Sequence, residues 1–228
     1  MPQTNGSLEY EKVINYIYSK MKAGELIVGS KLPTERALAE KLRIGRNSAR
    51  EALSILRGMG MIESVHGSGN YIVKNAHKAI GQMISMMLAL GTISNANILE
   101  FRRILEISVC SVVAEKGLSE ERKAHLKEIL SEMKGPEKEN RLYLDKEFHD
   151  SLIRATENSI FITIMDAITD VYLEEMREVI EKADDGVTQQ FLKIHEEIYQ
   201  GVVEMDSSKA LTHIEEHFKL VEKMMVSR

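Results

Sequence analysis

The chain has 228 residues, 43% hydrophobic and 29% charged, with a net charge of −5; this is the make-up of an ordinary globular protein of one large or two small domains. No apolar run approaches the roughly 18 to 20 residues of a membrane span, and "MPQTNGSLEYEK" lacks the basic start and apolar stretch of a signal peptide, so neither a membrane protein nor an exported one is expected. Cys110 is the single cysteine and cannot form an internal disulfide, so a cytoplasmic protein is the simplest expectation.

The net charge is unevenly spread. Residues 1–74 carry 11 Lys and Arg against 7 Asp and Glu, whereas residues 75–228 carry 19 against 28. A basic head on an acidic body suits an anionic partner at the head, with nucleic acid the obvious choice.

In chain order, residues 8–23 place Leu8, Val13, Ile17 and Met21 near helical spacing. "GELIVGSKLP" breaks that pattern, and Thr34 stands where an N-cap belongs, ahead of "ERALAEKL". After the short turn "RIG", "RNSAREALSILRGMG" resumes helical spacing through Ala49, Ala52, Leu53 and Leu56, and Gly58 and Gly60 supply a stop. The period then changes: "MIESV" and "NYIV" read as two short strands around "HGSG". Three helices and a hairpin in this order make a winged helix-turn-helix. Residues 75–80 read as a linker, and residues 81–228 as a second domain. About seven helical segments follow Lys74, at 77–90, 95–117, 119–134, 138–156, 159–181, 186–204 and 207–226, with joints at Gly91, Gly117, Gly135-Pro136, Asn158, Asp184 to Gly186 and Asp206. The expected fold is mainly α, a winged helix-turn-helix over 1–74 followed by an all-helical antiparallel bundle.

On the third helix, Arg46, Arg50, Ser54 and Arg57 form a polar line opposite Ala52, Leu53 and Leu56. A helix lying in the DNA major groove needs an apolar back and guanidinium forks in front. A solvated surface helix carries a similar stripe, and it is the neighbouring helix, turn and hairpin that favour DNA. Residues 29–73 moreover resemble the DNA-binding domain of GntR-family transcription regulators. The features that carry the likeness are Leu32-Pro33-Thr34-Glu35-Arg36, the run from Arg46 to Leu53, and Gly67-Ser68-Gly69. The resemblance implies DNA contacts from Arg36, Arg46 and Arg50, with His66 and Gly67 at a wing tip in the minor groove. Gly45 departs from the family's usual serine and removes one helix cap or phosphate donor.

The body carries polar groups on apolar stripes. Asp145 and His149 are one helical turn apart on a face shared with Leu142, Leu152 and Ile153. His195 lies among Phe191, Ile194, Ile198 and Val202, and His217 between Ile214 and Val221. A lone histidine on such a face is usually a hydrogen-bonded core residue. One carboxylate and three imidazoles on three inward faces together fit a divalent metal, which neutralises the acid and satisfies the ring nitrogens.

"LDKEFHDSLIRATEN" resembles the signature of the FCD ligand-binding domain of the FadR-type branch of the same family. That resemblance, which spans roughly residues 8–222, implies a metal held by Asp145, His149, His195 and His217. His213 competes for the last place, and the spacing from Asp206 and Ala210 favours His217. "FRRILE" matches a further family segment and puts Arg102 beside the metal as an effector-binding residue. Zn²⁺ is the default ion for an imidazole-rich site, with Ni²⁺ the alternative. The expected protein is therefore a homodimeric, non-enzymatic regulator of a pseudo-palindromic operator, controlled by a small carboxylate at the metal site. Two other readings use the same residues: the metal itself as the signal, or a metalloenzyme joined to a DNA-binding head.

Overall fold

The computed structural model describes residues 8–135 and 138–226. It divides into two compact units, Met1–Gln82 and Met83–Arg228, and each is described by itself.

In the first unit, α1 (Glu9–Lys22), α2 (Glu35–Leu42) and α3 (Arg46–Gly58) precede a hairpin of β1 (Ile62–Val65) and β2 (Gly69–Ile72). Thr34 caps α2 as its sequence position suggests, its hydroxyl accepting from the Ala37 amide at 3.2 Å. The two strands pair antiparallel from Ile62↔Ile72 to Val65↔Gly69. The apolar stripe of α3, namely Ala49, Ala52, Leu53 and Leu56, is buried against Val13, Ile17, Leu38 and the hairpin residues Ile62 and Ile72. The segment "GSKLP" does more than interrupt a helix. Lys31 bridges to Tyr71, and the Leu32 amide donates to the Asn70 carbonyl at 2.8 Å, so the segment lies along the free edge of β2. Gly60 has φ +67°, and a Cβ there would come within 2.4 Å of the Asn75 carbonyl oxygen, so only glycine fits the exit from α3.

Seven helices follow: α4 (Ala76–Ala89), α5 (Asn95–Lys116), α6 (Glu120–Met133), α7 (Lys138–Ala155), α8 (Ser159–Lys182), α9 (Asp185–Val203) and α10 (Ser207–Val226). Residues 76–80, within the stretch read as a linker, already belong to α4. With the three helices of the head this makes ten among the described residues, and the mainly α expectation holds. Pro136, in one of the expected joints, lies outside the described residues.

Local signals set the helix ends. Ser94 and Asn97 form a capping box on α5, Ser119 caps α6, and Asp184 caps α9 by accepting from the Val187 amide at 2.8 Å. The core of the bundle includes Val109 and Val113 of α5, Phe148 and Leu152 of α7, Met165 and Tyr172 of α8, Ile198 of α9, and Ile214 and Phe218 of α10. Helix α10 packs along α9 and across α5, while α7 lies against α5, α6 and α8. Elements far apart in sequence thus meet around the middle of α7.

The approach of α9 and α10 depends on Gly201. A Cβ there would stand 2.6 Å from the Ala210 nitrogen and 2.9 Å from its Cα, both backbone atoms that cannot swing away. Gly201→Ala gains about 1 kcal/mol of helix propensity, but overpacking of this kind costs roughly 1–3 kcal/mol. The net expectation is a lower denaturant midpoint with an unchanged slope, and an equal or higher midpoint would show that the helices have room to part.

Candidate metal centre and nucleic-acid interface

Arg46, Arg50, Ser54 and Arg57 are exposed on α3, opposite its buried stripe. Arg36 is also exposed and pairs with Glu40 at 3.1 Å, while His66 and Gly67 stand exposed at the tip of the hairpin. Two acids given no role in the sequence reading organise this surface. Glu35 takes the Arg50 guanidinium through Nε and Nη2, with the closest approach at 3.1 Å. Glu9, reaching from α1, accepts from the Gly45 amide at 3.1 Å and from the Ser48 hydroxyl at 2.8 Å. Glu9 therefore supplies, from another helix, a partner at the N-terminus of α3 where Gly45 has no side chain to offer. Arg57 donates to the Asn70 side chain at 3.3 Å and joins α3 to the hairpin.

In the body, Asp145 and His149 of α7, His195 of α9 and His217 of α10 converge. Their donor atoms all lie within 4.8 Å of one another. His195 Nε2 is 3.3 Å from Asp145 Oδ1 and 3.3 Å from His149 Nε2. His217 and His149 present Nε2 to the same Oδ1 at 3.7 and 3.9 Å. The three imidazoles are almost wholly buried, and Asp145 keeps a small exposed edge. His213 lies elsewhere: it is partly exposed, and its Nδ1 contacts Glu216 at 2.8 Å.

Without a cation this arrangement is poorly satisfied. Two Nε2 atoms face each other, and neither ring nitrogen of His217 has a hydrogen-bond partner. Each unmet buried polar atom costs about 1–3 kcal/mol, comparable to what a well-buried leucine contributes. Burial pushes the His217 imidazole down to about 4, which keeps it neutral with a lone pair to offer. Burial acts against ionising Asp145, but the imidazoles of His195 and His217 outweigh it and hold the carboxyl well below its usual range. A carboxylate and neutral imidazoles are the donor set of a first-row divalent ion, and the cluster could hold one.

Behind the cluster stands a residue not assigned a role from the sequence. Glu106 of α5 is buried between His149 and Arg102. Its Oε2 is 2.5 Å from His149 Nδ1, and its Oε1 accepts from Arg102 Nη2 at 2.8 Å and Nε at 3.0 Å. The carboxylate stands against Nδ1, so that His149 turns Nε2 into the cluster, the usual side from which a carboxylate orients a ligating histidine. Burial raises the Glu106 pKa, but the His149 and Arg102 charges prevail and bring it down to about 2. Arg102 is itself buried, with its guanidinium 4.7 Å from the centre of the Tyr172 ring. Glu106 was within reach of a sequence reading, since it ends "FRRILE" four residues after Arg102, on the same helix face.

The description "Bacterial regulatory proteins, gntR family" fits residues 9–72 of the chain, and "FCD domain" fits residues 97–220. The HTH-type transcriptional regulator LutR of Bacillus subtilis (strain 168) is 32% identical over 210 residues, covering 90% of this chain and 95% of its own. The uncharacterized HTH-type transcriptional regulator YcbG of the same organism is 30% identical, covering 92% and 87%. Among solved structures, Streptococcus agalactiae GntR superposes with a TM-score of 0.72 at 23% identity over 95% of this chain and 99% of its own, a likeness of fold.

Removing the Glu106 carboxylate strands the buried Arg102 guanidinium and leaves Nδ1 of His149 without its neighbour. Breaking a buried charge network from one side typically costs about 3–5 kcal/mol, so Glu106→Ala is expected to lose most of that, and Glu106→Gln, which keeps a hydrogen-bonding oxygen, clearly less. Urea unfolding of the three proteins reads the difference; equal midpoints for parent and Glu106→Ala would show that the network contributes nothing.

Proposed function

This chain belongs to the GntR family of DNA-binding transcription regulators and carries an FCD domain, and on that premise we propose that a small organic acid, bound at a divalent ion in the helical body, sets its affinity for an operator. The observation that carries the reading is the meeting of Asp145, His149, His195 and His217 at one point inside the helical body. When bound, the ion supplies a Lewis-acidic anchor for a carboxylate oxygen. The protein's own part is to orient the donors: Arg102 holds Glu106, Glu106 holds His149, and the α9–α10 pairing holds His195 near His217. Direct contact of Arg102 with the acid, the role implied by the family resemblance, would require its guanidinium to share or leave Glu106.

At the head, Arg36, Arg46 and Arg50 contact DNA, and His66 and Gly67 enter the minor groove. Their exposure on one unit supports this role. On DNA, Arg50 exchanges Glu35 for a base edge or phosphate. The active species is a homodimer. Exposed Phe101, Ile104 and Val112 form an apolar stripe along α5, and Met83, Met86 and Leu90 another along the end of α4, as suits a surface covered by a second copy. An acid shifts operator binding only to the extent that it prefers one conformational state over the other.

Two measurements test the reading. Elemental analysis should find one divalent ion per chain in the parent and in His125→Ala and His213→Ala, with most of it lost from His149→Ala, His195→Ala and His217→Ala. Metal retained by the 149 and 195 variants, or lost from 213 and kept by 217, would contradict the ligand set. Operator binding should weaken with salt by about 0.9 logarithmic units per neutralised phosphate for each decade of concentration. Arg50→Ala should abolish most specific binding with the circular dichroism unchanged; a gel shift equal to that of the parent would remove Arg50 from the interface.

A further inference from the structure

A small cavity opens beside the four-residue cluster, at the side of Asp145 and His195. Its volume is about 50 Å³, against roughly 10–15 Å³ for one water on the same scale, so it admits about the bulk of a very small organic acid. Arg141 and Thr188 also line it. The remaining wall is apolar, formed chiefly by Met133, Met176, Phe191 and Leu192. Helical spacing explains the layout. Arg141 precedes Asp145 by one turn of α7, and Thr188 precedes His195 by two turns of α9, so both residues extend the stripes that carry the proposed metal ligands.

Arg141 is incompletely engaged. Its Nη1 donates to the Thr188 hydroxyl at 3.3 Å, a long bond to a neutral partner, and its Nε is buried with no hydrogen-bond partner. Burying a guanidinium nitrogen without an acceptor is costly, and a bound anion removes that cost. The contrast with Arg102 is direct, because Arg102 already gives Nε and Nη2 to a buried carboxylate.

From this geometry we infer that the cavity is a subsite for a short acid with oxygen at both ends, a dicarboxylate or hydroxy acid, whose carboxylate is held by Arg141 and Thr188 while its other oxygen reaches the Asp145–His195 edge. The inference rests on the reading that a small acid is the effector, and adds which arginine recognises it and why an acid with oxygen at one end only is not enough. The apolar wall tolerates a short carbon chain and offers a neutral ligand no hydrogen bond along its length. Arg141 and Thr188 thereby become specificity residues of the body.

The test is isothermal titration of the full-length, Zn²⁺-loaded protein with three three-carbon probes: malonate, 3-hydroxypropionate and propionate. In the parent, one or both of the two-ended acids should bind at least about ten-fold tighter than propionate, the scale of one charged hydrogen bond. Arg141→Ala should erase that preference while keeping its Zn²⁺ and its thermal midpoint, and Thr188→Val should reduce it. Arg154→Ala, a substitution of an exposed arginine paired with Asp166, should leave the preference intact. Should Arg141→Ala misfold, Arg141→Lys and Thr188→Val carry the comparison, with the preference expected to fall in both. A parent that binds propionate as tightly as the two-ended acids, or variants that keep the full preference, would overturn the subsite and leave the metal-anchored effector standing. A Zn²⁺-loaded parent that binds none of the three would overturn both.

Discussion

Three imidazoles and a carboxylate buried at one point form the constraint on which the helical body depends. Each comes from a helix whose inward face is mostly apolar, so the imidazoles have almost no solvent to fall back on. The rest of the body can be understood as what brings them together. Gly201 lets the α9–α10 pair close, and Glu106 fixes the ring of His149 from α5. A shared cation would convert an unfavourable cluster into a cross-link of α7, α9 and α10. Such a cross-link is also a natural place for a ligand to act, since a molecule bound there touches three helices together.

The head depends on a different balance. Its core is small, and the exposed face of α3 is ordered by acids borrowed from neighbouring helices. Glu35 holds Arg50 in a defined position, and Glu9 compensates for the bare glycine at the start of α3. Both pairs are exposed, so their contribution to stability is small. Their effect is on placement: a guanidinium already held in one position has less conformational freedom to lose on binding than one free in solvent. Under the proposed contact, DNA would have to displace Glu35 from Arg50, which penalises weak, non-specific contacts.

Much of this was legible in the sequence because it is periodic. The apolar stripe of α3, the cap at Thr34, the joint at Asp184 to Gly186, the change of period at Met61 and the seven helical segments of the body all follow local rules. The spacing of Asp145 and His149, with His195 and His217 on further apolar stripes, pointed to one cluster before any helix was placed. What escaped depends on tertiary neighbours. Nothing near Gly45 indicates that Glu9, 36 residues earlier, will take its amide. "GSKLP" lacks the alternation of a strand, yet its backbone pairs with β2. Arg141 looks like any solvated arginine until α9 brings Thr188 opposite it. Glu106 marks the boundary between the two cases, since its four-residue spacing from Arg102 is visible but its contact with His149 is not.

The most direct measurement is X-ray absorption spectroscopy of the Zn²⁺-loaded full-length protein at the zinc edge. Three imidazoles and a carboxylate predict a first shell of nitrogen and oxygen at about 2.0–2.2 Å with no sulfur, and the outer-shell scattering of three histidine rings. A first shell containing sulfur, or scattering from no more than one ring, would place the ion elsewhere and contradict the shared-ion centre.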